Sequence, residues 1–419
     1  MANQVDPNIE KPKSDKLMDL KDAVKKYIRP RRAWCLGGFG YTRTNASTAR
    51  EAIRQNIPDL YMQTNAGATP MMMLAGANQL AWVEMTYLGL ETIQPVSYEI
   101  RKGLEDGNLE AVMDHTNYSW ALRTQAGYFG HQFATGMTEL GSDLLEYDTF
   151  GKAGLRGKNP DGTWIHPDIP PKRHAIIKDP FDGWGLRPHQ YDPKNKFSPG
   201  DEPDTTMNKT CAEEDGIFYE KLRKRVNKYT GEKGVIAILY PPCIPFVTTT
   251  HVQRVGVKGT ARIEGLLVPD VEQSISAKYL VITAEQVVPE EELRYRPQQN
   301  QIPCLMTDVI IDAPWSCYPT GCTYVYDYDW MWWKFYIQIN RAAAGGVEGK
   351  QALEDYWRNQ VGKDEWDFYQ NKVGRDYFKW GKIEAKFECP SGAVGMERLY
   401  ELRADAAYGY KPDLYRPIS

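Results

Sequence analysis

The chain has 419 residues, of which 42% are hydrophobic and 25% are charged, and its formal net charge is -4. This length allows one large domain or two ordinary ones, and the composition is that of a soluble protein with a sizeable core. The small net charge offers no electrostatic basis for binding nucleic acid or an anionic membrane.

The sequence contains no recognisable targeting or membrane-spanning segment. Residues 1–19 are polar and charged, without the apolar run of a secretory signal. Apolar stretches such as 69–80 are too short to cross a bilayer. We therefore expect a cytoplasmic protein.

The first predicted elements are a polar arm and a strand–turn–helix unit. Residues 1–17 form the arm, and the helix that follows ends before Pro30. A short apolar strand at 33–36 leads into a glycine-rich turn at 37–40, and residues 48–55 have helical composition. This order of elements is typical of the beginning of an open α/β sheet.

Short apolar strands then alternate with helices along the chain. Further strands are predicted at 60–63, 82–86, 235–239, 279–283 and 309–311. Helical stretches lie between several of them, for example at 97–106 and 118–127. The alternation predicts an α/β fold with an open, mostly parallel, twisted sheet and flanking helices.

Residues 150–234 differ from the rest because they are rich in Gly, Pro, Asp and Lys. They predict a long irregular insertion with one helix near 216–229, and loops of this length are usually functional or contact a partner. The predicted divisions are an arm at 1–17, α/β parts at 18–149 and 235–345, the insertion at 150–234, and a helical extension with a tail at 346–419.

The seven cysteines are scattered along the chain and odd in number. A disulfide framework is not expected in a cytoplasmic protein of this size. Cys317 and Cys322 are five residues apart, but no second pair and no histidine nearby in the sequence complete a zinc set. We expect buried thiols and no metal site.

Several segments resemble the alpha subunits of family I coenzyme A (CoA)-transferases of the glutaconate type. Leu36-Gly37-Gly38-Phe39-Gly40, followed by Arg43 and Arg50–Gln55, is similar to that family's Gly-Gly-Phe turn, arginine and helix ending in Arg-Gln. Similar segments follow in the same order at 259–263, 278–288, 302–303, 309–314 and 319–329. The resemblance covers most of 18–145 and 235–345, and it implies the CoA-transferase (NagB–RpiA-like) fold.

The resemblance also implies a reaction and a partner. Two-chain members of the family use a glutamate nucleophile on the beta subunit, in a Ser-Glu-Asn-Gly-type segment that this chain lacks. The chain would then be the alpha-type subunit of a heterodimer or larger heteromer such as α2β2. Its substrates would be an acyl-CoA thioester and a carboxylate, with no permanently bound cofactor.

Candidate substrate-binding residues in the resembling segments begin with the glycine turn. Gly37, Gly38, Phe39 and Gly40 would let backbone approach a ligand or the partner closely, although the same residues also suit a tight turn without ligand contact. Arg43 would pair with the carboxylate of a dicarboxylic acyl group, or form a surface or interface salt bridge.

Two further candidates lie in the segment after the turn. Tyr87 opens a loop, and Glu91 stands where glutaconate-type enzymes place a small hydroxyl residue near the substrate. A carboxylate there would orient a polar substrate or act as a base with a raised pKa, unless it faces solvent. The substitution leaves glutaconate itself in doubt as the substrate.

His115 is the remaining catalytic candidate. It lies near the position where some relatives of the same fold carry a glutamate that promotes carbon–carbon bond hydrolysis of cyclic CoA thioesters. A histidine can act as acid or base near neutral pH, but a capping or packed histidine is the more frequent case. His131 and His251 share this ambiguity.

Three functions remain open from the sequence. The first is CoA transfer between carboxylic acids with the nucleophile on a partner. The second is ring-opening hydrolysis or decarboxylation of an acyl-CoA on the same scaffold, and the third is a non-catalytic structural subunit. The partner's sequence separates the first two, and substitution of Glu91 and His115 tests the third.

Overall fold

The structure is a computed structural model that describes residues 15–67, 69–89, 94–140, 142–181, 226, 228–234 and 236–403. Its strands are β1 (Ala33–Leu36), β2 (Leu60–Gly67), β3 (Leu80–Leu88), β4 (Ala111–Asp114), β5 (Ala134–Gly136), β6 (Ala175–Lys178), β7 (Ile236–Tyr240), β8 (Val247–Gly256), β9 (Ala261–Arg262), β10 (Tyr279–Val288), β11 (Val309–Asp312), β12 (Arg375–Trp380) and β13 (Ile383–Glu388).

The first α-helix precedes β1, and the others lie between or after the strands. They are α1 (Leu20–Tyr27), α2 (Ala46–Arg54), α3 (Thr69–Gly76), α4 (Tyr98–Glu105), α5 (Asn117–Phe129), α6 (Thr149–Lys152), α7 (Asp270–Ile275), α8 (Glu290–Arg294), α9 (Trp330–Asn340), α10 (Gly346–Gln360), α11 (Glu365–Asn371) and α12 (Met396–Glu401). Within the described ranges, every helix is too short or too polar to cross a bilayer.

An eight-stranded sheet forms the centre of the molecule, as the alternating pattern predicts. Seven strands follow the order β11-β10-β8-β1-β2-β3-β4, and all six neighbouring pairs are parallel. Only β9 is antiparallel, against β8. The predicted open α/β fold with a mostly parallel sheet is therefore confirmed.

The order of the strands creates a switch point between β1 and β8. The chain adds β2, β3 and β4 on one side of β1 and later adds β8, β10 and β11 on the other. In such doubly wound sheets the helices on either side diverge at this point, and ligands bind in the crevice beyond the carboxyl ends of the strands.

Both faces of the sheet are buried, and adjacent residues of one strand alternate between them. Trp34 of β1 belongs to the largest apolar cluster, which α1, α2, α3, α9 and α10 complete. Its neighbour Ala33 packs on the other face with Trp82, Phe150 and Ile169.

Strand β8 is fully buried although it begins Val-Thr-Thr-Thr-His. Its hydroxyls have partners inside the chain: Thr249 Oγ1 accepts from Trp34 Nε1 at 2.9 Å, and Thr248 Oγ1 donates to the carbonyl of Gln273 at 2.8 Å. Because each polar group is satisfied, β-branched threonines can replace valines in this central strand.

The strand predicted at 235–239 exists as β7 but does not join the large sheet. It forms the middle of an antiparallel three-stranded sheet with β5 and β6. Its residues alternate between buried and half-buried, which is the pattern of a strand with only one covered face.

The regions predicted to be irregular or helical contain additional strands. The insertion contributes β6, whereas most of the helix predicted near 216–229 lies outside the described residues. The described part of the C-terminal extension contains, besides three helices, the hairpin β12–β13, which the sequence did not predict. Phe378 and Phe387 of this hairpin pack into the main core with Phe335 of α9.

Candidate active site

The glycine turn lies at the carboxyl end of β1, where the switch point predicts a crevice. The N–H groups of its four residues, 37–40, are all hydrogen-bonded within the chain. Their acceptors are, in order, the carbonyl of Thr249 (3.0 Å), Oδ1 of Asp270 (2.8 Å), the carbonyl of Thr42 (2.9 Å) and the carbonyl of Ala66 (3.2 Å). The turn therefore presents backbone surface but has no N–H group left over to stabilise an oxyanion.

Gly38 is the residue that this turn requires to be glycine. Its φ of +83° lies in the left-handed region. A Cβ atom at this position would also collide with the backbone carbonyl of Arg43. Both the left-handed conformation of Gly38 and the close approach of its backbone to that of Arg43 require a residue without a side chain.

Arg43 is buried and forms an ion pair inside the chain, so it is not a surface residue. Its Nη2 donates to Asp270 Oδ2 at 2.7 Å, and the two side chains are 1% and 0% exposed. Within the described part of the chain, its Nε and Nη1 have no hydrogen-bond partner. Asp270, the first residue of α7, thus holds both the turn and the guanidinium.

Tyr87 lies at the same edge of the sheet as the glycine turn. It pairs with Ala66 of β2, and the Ala66 carbonyl accepts from Gly40 N–H. Tyr87 is half-buried near the end of β3. Glu91, the other candidate of this segment, lies outside the described residues.

His115 follows β4 and lies beside β3. Its backbone N–H donates to the backbone carbonyl of Met85 at 2.8 Å, and the Nε2 atom of its imidazole is 3.0 Å from Glu84 Oε1. Thr116 caps the next helix, α5, by accepting from the N–H of Ser119 at 3.0 Å. His115 is therefore at the carboxyl edge too, but buried within the chain.

Glu84 is the centre of a fully buried polar cluster. Its Oε1 also accepts from Arg123 Nη1 at 2.5 Å, while its Oε2 accepts from Tyr61 Oη and Gln63 Nε2, each at 2.6 Å. Burial alone would raise the pKa of Glu84, but the charge of Arg123 and the hydrogen bond with His115 outweigh it and hold that pKa well below its usual value. The carboxylate is ionised and fixes the position of the imidazole.

Glu139 lies on the other side of the imidazole. Its Oε1 is 3.8 Å from His115 Nδ1 and accepts from Ser119 Oγ at 2.6 Å, and its Oε2 is 3.3 Å from Arg173 Nη2. Burial opposes ionisation, yet His115 and Arg173 together lower the pKa of Glu139 to about 2. His115 thus stands between two carboxylates, an arrangement in which an imidazole can hold or transfer a proton.

The sequence pointed to His115 but not to the residues around it. Glu84 has a local signal, because a glutamate inside the apolar strand 80–88 must be paired if it is buried. Arg123, Glu139 and Arg173 have none, since they come from a helix, a loop and the insertion that only the fold brings together. The same holds for Asp270 opposite Arg43.

A second cluster of polar side chains lies beside β8 and β10. Its members, whose ligand atoms are close enough together to bind one metal ion, are His251, Glu285 and Cys322. The imidazole is already engaged, with Nδ1 2.9 Å from Thr283 Oγ1 and Nε2 2.8 Å from Glu285 Oε1. The fold therefore brings His251 close to Cys322, although no histidine lies near Cys322 in the sequence. Both ring nitrogens of His251 are within hydrogen-bond distance of other side chains, Thr283 and Glu285.

Two curated proteins are similar to this chain in sequence. An uncharacterized protein of Archaeoglobus fulgidus is 23% identical over 348 residues, which are 82% of this chain but only 61% of that protein. The A subunit of glutaconate CoA-transferase from Acidaminococcus fermentans is 27% identical over 359 residues, 86% of this chain and 92% of that relative. No protein-family model matches the chain.

Comparison with solved structures finds the same enzyme as the sequence comparison does. The crystal structure of glutaconate CoA-transferase from Acidaminococcus fermentans has a TM-score of 0.63 and 22% identity, covering 93% of this chain and 95% of that one. The decarboxylase AibA/AibB has a TM-score of 0.51 and 19% identity over 80% of this chain and 97% of that one. At these identities the likeness concerns the fold. In sequence and in fold, this chain is therefore similar to the alpha-type subunit of a CoA-transferase, which confirms the resemblance seen at the glycine turn.

Proposed function

We propose that the chain is the alpha-type subunit of a heteromeric enzyme that moves CoA between carboxylic acids. The observation that supports this most is the similarity to the A subunit of glutaconate CoA-transferase, which extends over 92% of that relative. The required glycine at position 38 and the buried Arg43 lie at the switch point, where doubly wound sheets bind ligands.

The proposed reaction needs a carboxylate nucleophile from a beta-type partner. A partner glutamate attacks the thioester carbonyl, the CoA thiolate leaves, and an acyl anhydride forms. The thiolate then attacks the glutamyl carbonyl of the anhydride, which releases the first acid and leaves a glutamyl-CoA thioester. Attack by the second acid and return of the thiolate complete the exchange, so no proton or redox equivalent is consumed.

This chain would contribute the acyl end of the pocket. The glycine turn lacks free N–H groups, so oxyanion stabilisation would come from the partner or from side chains. The two nitrogens of Arg43 without a hydrogen-bond partner among the described residues, and the half-buried Tyr87, are candidate polar groups at this edge. While Asp270 holds Nη2 of Arg43, Nε and Nη1 of the same guanidinium would be the groups that donate to a substrate carboxylate.

The test is reconstitution of the two-chain enzyme. The isolated chain should not turn over any acyl thioester, whereas the complex with a beta-type subunit should show ping-pong kinetics. Trapping with hydroxylamine should label a glutamate of the partner. Robust turnover by the isolated chain, or a complex without a reactive glutamate, would contradict the proposal.

A second function is favoured by one observation on this chain. His115 is held between Glu84 and Glu139, which suits acid–base chemistry such as ring-opening hydrolysis or decarboxylation of an acyl-CoA. The fold accommodates such chemistry, since AibA/AibB is described as a decarboxylase. A partner without a nucleophilic glutamate would favour this function, and a complex insensitive to changes at both Arg43 and His115 would favour a purely structural subunit.

A further inference from the structure

Several buried polar atoms near Glu139 have no hydrogen-bond partner among the described residues, although His115 Nδ1 and Glu139 Oε2 make longer contacts of 3.8 Å and 3.3 Å with charged groups of this cluster. The atoms without a partner are Nδ1 of His115, Oε2 of Glu139, Nε and Nη1 of Arg173, and the hydroxyl of Tyr240. Each of these residues is at most 4% exposed. Buried polar groups are normally hydrogen-bonded, so a group of them around one point needs an explanation.

Arg173 provides most of the unused hydrogen-bonding capacity. Its Nη2 donates to the carbonyl of Asp114 at 2.7 Å and is 3.3 Å from Glu139 Oε2. Among the described residues, nothing accepts from its Nε or Nη1. Burial lowers the pKa of Arg173, although the charge of Glu139 opposes this shift.

Tyr240 supplies a neutral donor close to Arg173 and Glu139. It lies on β7, opposite Ala134 of β5, and burial raises the pKa of its hydroxyl, an effect that the nearby charge of Glu139 increases. The phenol therefore keeps its proton. Its oxygen has no partner in the described part of the chain.

These atoms match one kind of ligand. The unpartnered N–H and O–H groups of Arg173 and Tyr240 outnumber the unpartnered acceptors, so the complementary group is one that accepts several hydrogen bonds. The charges of Glu84 and Glu139 are balanced by Arg123 and Arg173. Because these charges already balance, a singly charged group disturbs the balance less than a doubly charged phosphate does.

We infer that Arg173, Tyr240 and His115 form a buried subsite for a single carboxylate group. The ligand would be a small carboxylic acid or the carboxylate end of a longer one. This inference rests on the proposed function, whose substrates are carboxylic acids, and it specifies where one of them would bind; the binding itself requires neither a thioester nor a partner chain.

Binding can be measured on the full chain alone. Sodium acetate and sodium glutarate would be titrated at constant ionic strength against sodium chloride and sodium phosphate, with the thermal midpoint and calorimetry as readouts. The carboxylates should raise the midpoint above that in chloride. An equal rise with phosphate, or no rise with either carboxylate, would overturn the inference and leave a site for water.

Substitutions in the proposed subsite test whether the carboxylate binds there. Tyr240→Phe keeps the ring and removes the hydroxyl, so it should fold and bind carboxylate roughly 2- to 10-fold more weakly. Arg173→Gln should abolish the response. Arg156→Gln is the matched control, because Arg156 lies in the same region but has partners in Asp148 and the carbonyl of Pro170. If Tyr240→Phe and Arg173→Gln respond like wild type, the carboxylate binds elsewhere and the assignment is wrong.

Discussion

The backbone N–H of Gly38 donates to Oδ1 of Asp270, while Oδ2 of the same carboxylate accepts from Arg43. One aspartate thus fixes both the glycine turn and the guanidinium beside it. These residues come from two halves of the chain and meet at the switch point of the sheet. The positions of the glycine turn and of the Arg43 guanidinium therefore both depend on Asp270.

Asp270→Asn is expected to lower the free energy of unfolding by about 3–5 kcal/mol, because it leaves the charge of Arg43 buried and unpaired. Urea unfolding followed by circular dichroism measures this. Glu105→Gln, which breaks the exposed pair with Arg101, is the control and should have no measurable effect. A loss below about 1 kcal/mol for Asp270→Asn would show that the pair is not needed for stability.

Gly38→Ala separates conformational strain from steric collision when it is compared with Gly107→Ala. Both glycines have positive φ, +83° and +74°, but only Gly38 has backbone in the way of a Cβ. Gly107→Ala should cost about 1 kcal/mol for the left-handed conformation alone. Gly38→Ala should cost clearly more in the same unfolding assay, and equal losses would mean that the turn opens without penalty.

His115→Gln distinguishes the two catalytic functions in the reconstituted enzyme. If His115 only packs against Glu84, kcat should stay within about tenfold of wild type. If it transfers a proton, kcat should fall by about 10²- to 10⁴-fold and the pH–rate profile should lose one limb. His131→Gln, an exposed histidine, serves as the control.

Glu139 should contribute to stability in a defined acid range. Its pKa of about 2 lies below its value of about 4.5 in the unfolded chain, so ionised Glu139 stabilises the folded state above pH 4.5. That contribution is lost as the pH falls from about 4.5 to 2. Glu139→Gln should flatten this part of the stability–pH curve, whereas the exposed Glu291→Gln should leave the curve unchanged.

Glu99 should have the opposite pH dependence. Burial raises its pKa to about 7, although the hydroxyls of Tyr336 and Ser97 donate to it. The folded state then binds more protons than the unfolded state, so the stability contributed by Glu99 is lost as the pH rises from about 4.5 to 7. Glu99→Gln should stabilise the protein at pH 8, by at most about 3 kcal/mol, and have little effect at pH 4.5.

Urea midpoints at pH 4.5 and 8 measure that difference. Glu348→Gln, at an exposed position on α10, is the control and should show none. An equal effect of Glu99→Gln at the two pH values would mean that the carboxyl group does not change its charge in this range.

Local patterns in the sequence were sufficient for much of the architecture. The strand at 33–36, the turn that follows it and the alternation of apolar strands with helices depend on neighbours within a few residues, so the sequence predicts them. Strand β8 was not predicted because buried threonines and a histidine fill residues 248–251, which indicate a polar segment until their partners in other elements are known. The hairpin at 375–388 was missed for a different reason, because its exposed positions are mostly charged and only alternate residues are buried.

By itself, the sequence determined the class of fold and the position of the glycine turn, because periodicity and a required left-handed glycine are properties of short segments. Only the tertiary structure decided which charges meet. Arg43 and Asp270 are 227 residues apart, and Glu84 and Arg123 are 39 apart. Such pairs are set by the strand order and by which helix covers which face, and burial then compels the charges to pair because water is excluded.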